Sequence, residues 1–567
     1  MNSARRLALL AFAMVAVSTA QAIAEDRLHD LQESAITTKD QKVKRPYHFG
    51  SQGPGDVFSN HTSHTNRLIP VYVFGKKADL STVTGKNSRY RTEAGVKPLY
   101  GVVPANTVNP DADYADQSDL YRVQKEAVGR GAKYVFTVWF DGLDYETTRA
   151  AAIVKSGRVA YSEGKGTGLV FQDYDASGSS QFGFVVTSPT HDRNTPDVDA
   201  QTVTIPANSL GGGYDAMIAG PNPWTLGPLG LKAPGYLKGS SAIATDKAGV
   251  KAAGRVIHAY TDSSQSAGEY ATGVKAYNNG VNVNDGGKFI PTLFGTLQAD
   301  GWKVGTVTSV PFDHVSPAAM YAHNVHRDDY QDLGRDMLGL RSIAQTTGKD
   351  PAHPGLDVVI GCGFGQVARK SDLAKGGKNA VPGGLFLDVV SLSAIDVDNG
   401  GKYVVVHTET GASGATALES AASKAATGGN RLFGYFGTKD HNHLPYRTAD
   451  GDDRPSTGIG GKAERYSSED LASNPKLAEM TRAAITVLSA SKRPFALFVE
   501  AGDVDFALHD NNLDNAIGAV FSGEEAVKTI IAWVEANSNW DESVLIVTAD
   551  HGHYLVIDDP AGLVGGK

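Results

Sequence analysis

The segment 498–509 brings acidic residues and a histidine close together in sequence. Glu500 follows the apolar run 494–499, which predicts a buried strand. Asp505 and His509 are four residues apart, so a helix that begins here would carry both on one face. A carboxylate and an imidazole on one face suit Zn²⁺, and a further carboxylate suits a harder ion such as Mg²⁺. Alone, the segment predicts either a metal site or a solvated acidic helix start with an incidental histidine.

A second carboxylate stands where another predicted strand ends. The run 133–140 is nearly continuous in apolar and β-forming residues, which is typical of a strand buried on both faces. Asp141 and Gly142 follow it directly, and a helix is predicted over 146–156. Asp144 is the better N-cap for that helix, so we expect Asp141 to be available for a metal ion at the carboxyl end of the strand.

A third predicted strand, 543–548, leads into Ala549-Asp550-His551-Gly552-His553. Open α/β sheets bind ligands at the carboxyl ends of their strands, and this segment occupies such a position. The adjacent Asp550 and His551 therefore form a second pair of candidate metal ligands.

A serine stands at the predicted start of a helix that runs to about residue 273. Asp262 and Ser263 can cap this helix, and the amide N–H groups at a helix N-terminus favour an incoming phosphate. The segment has no Gly-x-Ser-x-Gly motif, so a Ser–His–Asp triad is not expected. A metal ion could activate the hydroxyl instead. The alternative for Ser263 is a plain N-cap serine.

A further strand is predicted over 303–311, followed by Asp313-His314-Val315-Ser316 and a helix that carries His323, His326 and Arg327. The Asp-His-x-Ser sequence at a strand end supplies polar groups that can face a metal. Arg327 can hold a phosphate through two parallel hydrogen bonds, a role that lysine fills less well. The alternative for Arg327 is an ordinary surface charge.

The composition limits the class of protein and its location. The chain has 567 residues, 41% of them hydrophobic, and its net charge of −9 argues against nonspecific nucleic-acid binding. Residues 1–24 are predicted to be a signal peptide with a basic start and an apolar core too short to span a membrane. No later segment is apolar enough to span one. The single cysteine excludes an intrachain disulfide, and we expect a periplasmic or secreted protein.

The remaining segments are less informative. We expect residues 25–130 to form an N-terminal extension of unknown role with a possible strand over 68–74. His61 and His64 are expected on a surface loop, and a metal site is their alternative. Residues 131–567 are expected to form the catalytic domain, with strands over 356–361 and 402–407. Residues 157–257 are expected to cover the main sheet. The charged segments 439–443 and 450–453 are expected to be exposed parts of a crown or lid.

Together these motifs resemble those of the alkaline phosphatases, binuclear zinc phosphomonoesterases with an additional magnesium site. The matching blocks follow the family order between about residues 133 and 553. The blocks 261–275 and 548–553 align without a gap, and 499–514 is also close. The resemblance implies a three-layer α/β/α sandwich with a central, mostly parallel sheet and loop insertions.

The resemblance also implies roles for the residues around the serine. Ser263 looks like the nucleophile that becomes a phosphoserine, and Arg327 matches the arginine that binds the non-bridging oxygens of the phosphate. Asp141, Asp550 and His551 match the ligands of the zinc beside the serine.

A magnesium site is implied next to this zinc. Asp141 matches the carboxylate shared by the two ions, and Glu500 and Ser316 match the other magnesium ligands. His314 matches a position near the magnesium, and His553 matches one near the phosphate and zinc. Such outer residues orient ligands and tune their basicity.

Two features depart from the family pattern. Asp505 and His509 match ligands of the second zinc, which takes one more histidine, but none follows His553 here. We expect that the chain is truncated at its C-terminus; the alternatives are a substitute histidine or a weakly bound zinc. Phe506 stands where the family usually has a polar residue that faces the phosphate, so a looser hold on phosphate is expected.

The resemblance implies an exported hydrolase of phosphate monoesters that uses two Zn²⁺ and one Mg²⁺, and dimers are usual in the family. Within enzymes, the alternatives are a related phosphodiesterase or a sulfatase. Phosphodiesterases commonly lack the Arg327 and magnesium block, and the context of Ser263 lacks the Cys/Ser-x-Pro-x-Arg pattern of sulfatases. A secreted metal- or phosphate-binding protein without turnover is the alternative from another class.

Overall fold

The structure, a computed structural model, describes residues 26–37, 46–49, 68–104, 107–191, 194–205, 261–350, 353–438, 440–553 and 555–564. The predicted signal peptide 1–24 and the pair His61 and His64 lie outside the described residues, and so does Lys567.

The described strands are β1 (Tyr47–Phe49), β2 (Ile69–Phe74), β3 (Ala115–Asp116), β4 (Tyr134–Phe140), β5 (Gln181–Val186), β6 (Thr195–Asp197), β7 (Thr202–Thr204), β8 (Lys303–Pro311), β9 (Val358–Cys362), β10 (Tyr403–His407), β11 (Arg431–Tyr435), β12 (Phe495–Ala501), β13 (Ser543–Thr548) and β14 (Leu555–Ile557).

The described α-helices are α1 (Arg27–Thr37), α2 (Glu93–Tyr100), α3 (Gln117–Gly129), α4 (Tyr145–Ser156), α5 (Val170–Asp173), α6 (Ser263–Thr272), α7 (Leu293–Ala299), α8 (Val315–Ala319), α9 (Tyr330–Met337), α10 (Ile343–Thr346), α11 (Lys370–Lys375), α12 (Val389–Ile395), α13 (Gly414–Gly428), α14 (Ser468–Ser473), α15 (Leu477–Ala490), α16 (Asp503–His509) and α17 (Leu513–Asn537).

A large mixed sheet forms the centre of the fold. Within the described residues it has ten strands in the order β10-β11-β9-β8-β12-β4-β13-β2-β5-β3. The seven strands from β10 to β13 pair in parallel, β2 pairs antiparallel to β13 and to β5, and β3 pairs parallel to β5. The four central strands β8, β12, β4 and β13 are almost wholly buried, as is typical of parallel strands covered on both faces.

Helices cover both faces of this sheet. Adjacent residues of a strand point to opposite faces, and Trp139 and Phe140 of β4 do so. The Trp139 ring packs on Tyr270 of α6, with ring centroids 4.8 Å apart. The Phe140 ring lies against Gly523 of α17 and leaves no room there for a side chain. The predicted α/β/α architecture is therefore confirmed.

Three strands of the sheet come from segments that the sequence analysis placed outside it. β2 and β3 belong to the segment 25–130, and β5 belongs to the segment 157–257. Strand pairing over such distances is not encoded in local periodicity, because β2 pairs with β13, which lies near the other end of the described chain. The sheet therefore contains strands from both sides of residue 130, and a domain boundary at that residue would cut through it.

Two local predictions differ from the structure. The helix predicted to carry His323, His326 and Arg327 ends at Ala319. The segment after it is not helical, since the N–H of Asn324 donates to the Val281 carbonyl and that of Arg327 to the Asn279 carbonyl. In the segment 439–443, which we expected to be exposed, His443 is buried.

Candidate metal and nucleophile site

The predicted site residues meet because the central strands are parallel neighbours. β8, β12, β4 and β13 lie side by side, so their carboxyl ends share one edge of the sheet. Glu500 lies near the end of β12 and is opposite Trp139 and Thr308 in register. Asp141 and Asp550 follow β4 and β13. The edge thus collects three carboxylates from three neighbouring strands.

Ser263 is the first residue of α6 and is buried beneath these carboxylates. The predicted cap forms, since Asp262 Oδ1 accepts the N–H of Gln265 at 3.1 Å. Ser263 Oγ lies 3.3 Å from Asp141 Oδ1 and 3.2 Å from His551 Nε2. A hydroxyl at a helix N-terminus therefore contacts two groups that can also bind a metal ion.

The buried carboxylates of this edge are only partly satisfied. Asp550 Oδ1 accepts the N–H groups of Gly142 and His551 at 2.8 and 2.9 Å. By contrast, Asp141 Oδ2, Asp550 Oδ2 and Glu500 Oε1 are buried and accept no hydrogen bond from any described residue. Buried, unpaired carboxylate oxygens are costly, and divalent cations would satisfy them. The residues present therefore fit the metal ions that the family pattern implies.

The pKa values of these carboxyls report the crowding of negative charge. Burial and the nearby Asp550 raise the pKa of Asp141 well above its ordinary value. Burial raises the pKa of Asp550 to about 6 and that of Glu500 to about 8. Burial also acts to raise the pKa of Asp505, but His509 and His553 outweigh it and hold that pKa well below the usual range.

His551 connects the carboxylates around Ser263. Its Nε2 lies 3.3 Å from both Asp141 Oδ1 and Asp550 Oδ2, and 3.8 Å from Asp505 Oδ1. Donor atoms of Asp141, Asp505 and His551 all lie within 4.8 Å of one another. One candidate metal position is therefore beside the serine hydroxyl.

A second candidate position lies on α16, where the predicted spacing holds. Asp505 Oδ1 is 3.3 Å from His509 Nε2 and 2.5 Å from His553 Nε2. The three residues offer donor atoms within 4.8 Å of one another. His553 was predicted only as an orienting residue, whereas in the structure it lies in position to be a third donor. Gly142, with φ of +78°, permits this approach, since a Cβ there would be 2.6 Å from His553 Cδ2.

A third group contains the predicted magnesium residues. Asp141, His314 and Glu500 offer donor atoms within 4.8 Å of one another, and Ser316 is buried nearby at the start of α8. Burial and the adjacent Arg327 lower the pKa of His314 to about 3, so its imidazole is neutral. Thr308, which the sequence analysis did not consider, donates to Glu500 Oε2 at 2.5 Å.

Arg327 lies at the same edge although the helix predicted to carry it ends at Ala319. Its Nη1 donates to Asp262 Oδ2 at 3.0 Å, and its Nη2 lies 3.3 Å from His314 Nε2. Asp262 therefore caps the helix of Ser263 and also positions Arg327, a double role that the cap motif alone does not reveal. Phe506 is half-buried, with its ring against His314 at a centroid distance of 5.6 Å.

The fold and these donor groups define an α/β protein with candidate metal sites beside a buried serine. The family model described as alkaline phosphatase matches residues 243–561, more than half of the chain. The chain therefore belongs to the alkaline phosphatase family.

Relatives in the family are distant. Alkaline phosphatase 4 of Bacillus subtilis (strain 168) is 27% identical over 292 residues, which cover 51% of this chain and 49% of that protein. Alkaline phosphatase of Escherichia coli (strain K12) is 27% identical over 321 residues, covering 53% and 59%. The chain thus spans about half the length of these relatives. The solved structure of a cold-active alkaline phosphatase from the psychrophile Shewanella sp. matches with a TM-score of 0.40 and 16% identity, covering 74% of this chain and 68% of that one.

Among the described residues, no helix combines the length and apolar character needed to cross a membrane.

Proposed function

We propose that this protein is an exported, metal-dependent hydrolase of phosphate monoesters that acts through a phosphoserine at Ser263. The observation that carries the proposal is the position of the Ser263 hydroxyl. It stands at a helix N-terminus, within 3.3 Å of Asp141 and His551, with the Arg327 guanidinium on the neighbouring Asp262. A phosphoryl group attached to this hydroxyl would meet helix N–H groups and a positive charge.

Three metal positions follow from the donor sets. Asp141, Asp550 and His551 would hold one Zn²⁺, and Asp505 and His509, with His553 as third donor, would hold the other. Asp141, Glu500 and Ser316 would hold Mg²⁺, with His314 beside them. When bound, the ions would supply positive charge to the attacking and leaving oxygens of an in-line displacement. The presence of His553 beside Asp505 supports the alternative in which a substitute histidine completes the second zinc position. The predicted C-terminal truncation stays a prediction.

The chain's own residues account for the remaining chemistry. Arg327, whose charge Asp262 stabilises, would bind the non-bridging oxygens of the ester and orient it. Ser263 would lose its hydroxyl proton and Oγ would form a bond to phosphorus as the bond to the alcohol oxygen breaks; the leaving oxygen would take up a proton and depart as the alcohol. Water would then release inorganic phosphate and restore the hydroxyl. Phosphoryl transfer depends mainly on such positioning and charge stabilisation. A periplasmic or secreted location and a homodimer belong to the same proposal.

The test replaces the nucleophile and one neighbour. Ser263→Ala should abolish nearly all hydrolysis of a phosphate monoester while the protein still binds zinc. Ser266→Ala is the matched control, because Ser266 Oγ only donates to the carbonyls of Asp262 and Ser263 within the same helix. It should keep activity within a few-fold. An active Ser263→Ala protein would remove the serine from the proposal.

Turnover of a phosphate monoester, a diester and a sulfate ester by the unaltered protein would establish the class of ester. A protein that binds zinc but hydrolyses none of the three would instead be a metal- or phosphate-binding protein. Zinc content, measured by elemental analysis beside activity, separates these outcomes.

A further inference from the structure

A second group of histidines and aspartates lies outside the proposed catalytic residues. We define the His323 cluster as His323, Asp336, Asp350 and His353, whose donor atoms all lie within 4.8 Å of one another. His323 follows α8, Asp336 lies in α9, and the other two residues follow α10. The cluster is therefore assembled from three loops or helices, and none of its members has a role in the proposed reaction.

One member of the cluster, His323, directs a buried ring nitrogen at Asp350. His323 is 7% exposed, and its Nε2 is 2.7 Å from the Ile290 carbonyl oxygen, which can only accept a proton. Nε2 therefore carries the hydrogen, and in the neutral ring Nδ1 presents a lone pair. Nδ1 is 2.9 Å from Asp350 Oδ2, yet it makes no hydrogen bond of acceptable geometry to a described residue. Burial acts to lower the pKa of His323, but Asp350 outweighs it and raises that pKa, so Nδ1 can carry a proton toward the carboxylate. A metal ion bound here would take the place of that proton.

The remaining members are held in place by other groups. Asp336 accepts from the N–H of His323 at 3.0 Å, from Ser342 Oγ at 3.1 Å and from Gln345 Nε2 at 3.0 Å. A histidine that donates its other ring nitrogen to a carbonyl and a carboxylate fixed by hydrogen bonds are typical surroundings of a bound metal.

The separations within the cluster fit a small tetrahedral ion. His353 Nε2 lies 3.2 Å from Asp336 Oδ1 and 3.3 Å from Asp350 Oδ2. Zinc binds nitrogen and oxygen at about 2.0–2.2 Å, so neighbouring ligands of a tetrahedral site are separated by about 3.3–3.6 Å. The two separations from His353, 3.2 and 3.3 Å, are close to this range, and the separation of 2.9 Å between His323 and Asp350 is shorter than it. Two imidazoles with carboxylates are also a donor set that suits zinc.

We propose that the His323 cluster is an additional zinc site, separate from the metal positions of the catalytic edge. A cavity of about 430 Å³ borders it, lined by His323, Asp350 and His353 together with Phe289 and Tyr321, and gives the ion a route from solvent. Since Arg327 follows His323 by four residues, the ion would anchor the segment that presents the guanidinium. The site does not depend on phosphatase activity.

The test locates zinc directly in the full-length protein. Crystals grown with zinc chloride should give an anomalous peak at the zinc edge among the four residues. Its absence, with peaks at the catalytic edge, would overturn the proposal and leave an ion-pair network. This measurement needs no variant, so it decides the question even where a substitution prevents folding.

Two variants provide a second readout. His323→Gln and His353→Gln should each bind one zinc ion fewer per chain than the unaltered protein, measured by elemental analysis after gel filtration. His407→Gln is the control, because it removes a half-buried histidine that stacks on Phe364 away from the cluster. It should keep the full zinc content. Equal zinc content in all four proteins would overturn the proposal.

Discussion

Replacing Lys275 by methionine tests how the N-terminal segment supports α6, the helix that begins with Ser263. Lys275 follows the C-terminal end of α6 and is almost completely buried. Its ammonium lies 2.9 Å from Asp116 of β3 and 2.8 Å from Glu269 of α6, and it donates to the Ser188 carbonyl at 2.9 Å. One buried cation therefore joins the edge strand β3 to the helix that begins with Ser263.

The magnitude follows from these distances. At an effective dielectric constant of about 20, each ion pair near 2.8 Å is worth about 6 kcal/mol of Coulomb attraction, most of which desolvation offsets. Removing one partner of a buried pair leaves an uncompensated charge and costs about 3–5 kcal/mol. Burial already raises the pKa of Glu269 to about 7 despite the lysine. We therefore expect Lys275→Met to lower the free energy of unfolding by about 3–5 kcal/mol.

Urea unfolding followed by tryptophan fluorescence measures the change. The double variant Lys275→Met/Glu269→Gln removes one of the uncompensated carboxylates and should be more stable than the single variant. Lys133→Met is the matched control, because it breaks an ion pair of similar length, 2.7 Å to Glu542, between exposed side chains. Its midpoint should hardly change. If Lys275→Met unfolds at the same urea concentration as the unaltered protein, the buried triad does not support the helix as argued.

Three further outcomes are expected. Arg327→Lys keeps the positive charge but loses the two parallel N–H donors of the guanidinium. The inhibition constant of inorganic phosphate should therefore rise about 10- to 150-fold, as for one lost charge-assisted hydrogen bond. An unchanged constant would exclude Arg327 from phosphate binding. Asp144→Ala removes the cap that accepts the Thr147 N–H at 3.1 Å and should cost about 1 kcal/mol in urea unfolding, with Asp144→Asn closer to the unaltered protein; equal losses would contradict the cap argument. Chelation should lower the melting temperature more at pH 8.5 than at pH 5.5. Folding raises the pKa of Asp550 to about 6 and that of Glu500 to about 8. The stability that these two groups give the metal-free protein is therefore full at low pH and is lost as the pH rises through those values. A difference in melting temperature between metal-loaded and chelated protein that stays constant with pH would contradict this prediction.

Local sequence predicts the parallel core well. The runs before Asp141, Glu500 and Asp550 are apolar and end in polar residues, and each forms a strand close to its predicted bounds. Burial on both faces explains this agreement, because it excludes polar side chains from the whole strand. β2 and β5 belong to the antiparallel edge, and their partners are distant in sequence, so periodicity gave no indication of their place in the sheet.

The candidate site was predictable where strand ends or helical spacing place residues together. Asp505 and His509 share a face of α16 as their spacing predicts. His553 next to them was not predicted as a ligand, because its position depends on the turn at Gly142. The His323 cluster also escaped prediction, since Asp336, Asp350 and His353 approach His323 only through the packing of loops.

The position of β13 between β4 and β2 has a consequence for biosynthesis. β2 is among the first sheet strands to leave the ribosome, yet the strand it pairs with, β13, is synthesised some 470 residues later. Contacts between such distant segments close a long loop and form slowly. β13 also brings Asp550, His551 and His553 to the sheet edge. A nascent chain that stops before residue 543 therefore has β2 paired only with β5 and lacks Asp550, His551 and His553. We expect the donor set beside Ser263 to be completed late in synthesis.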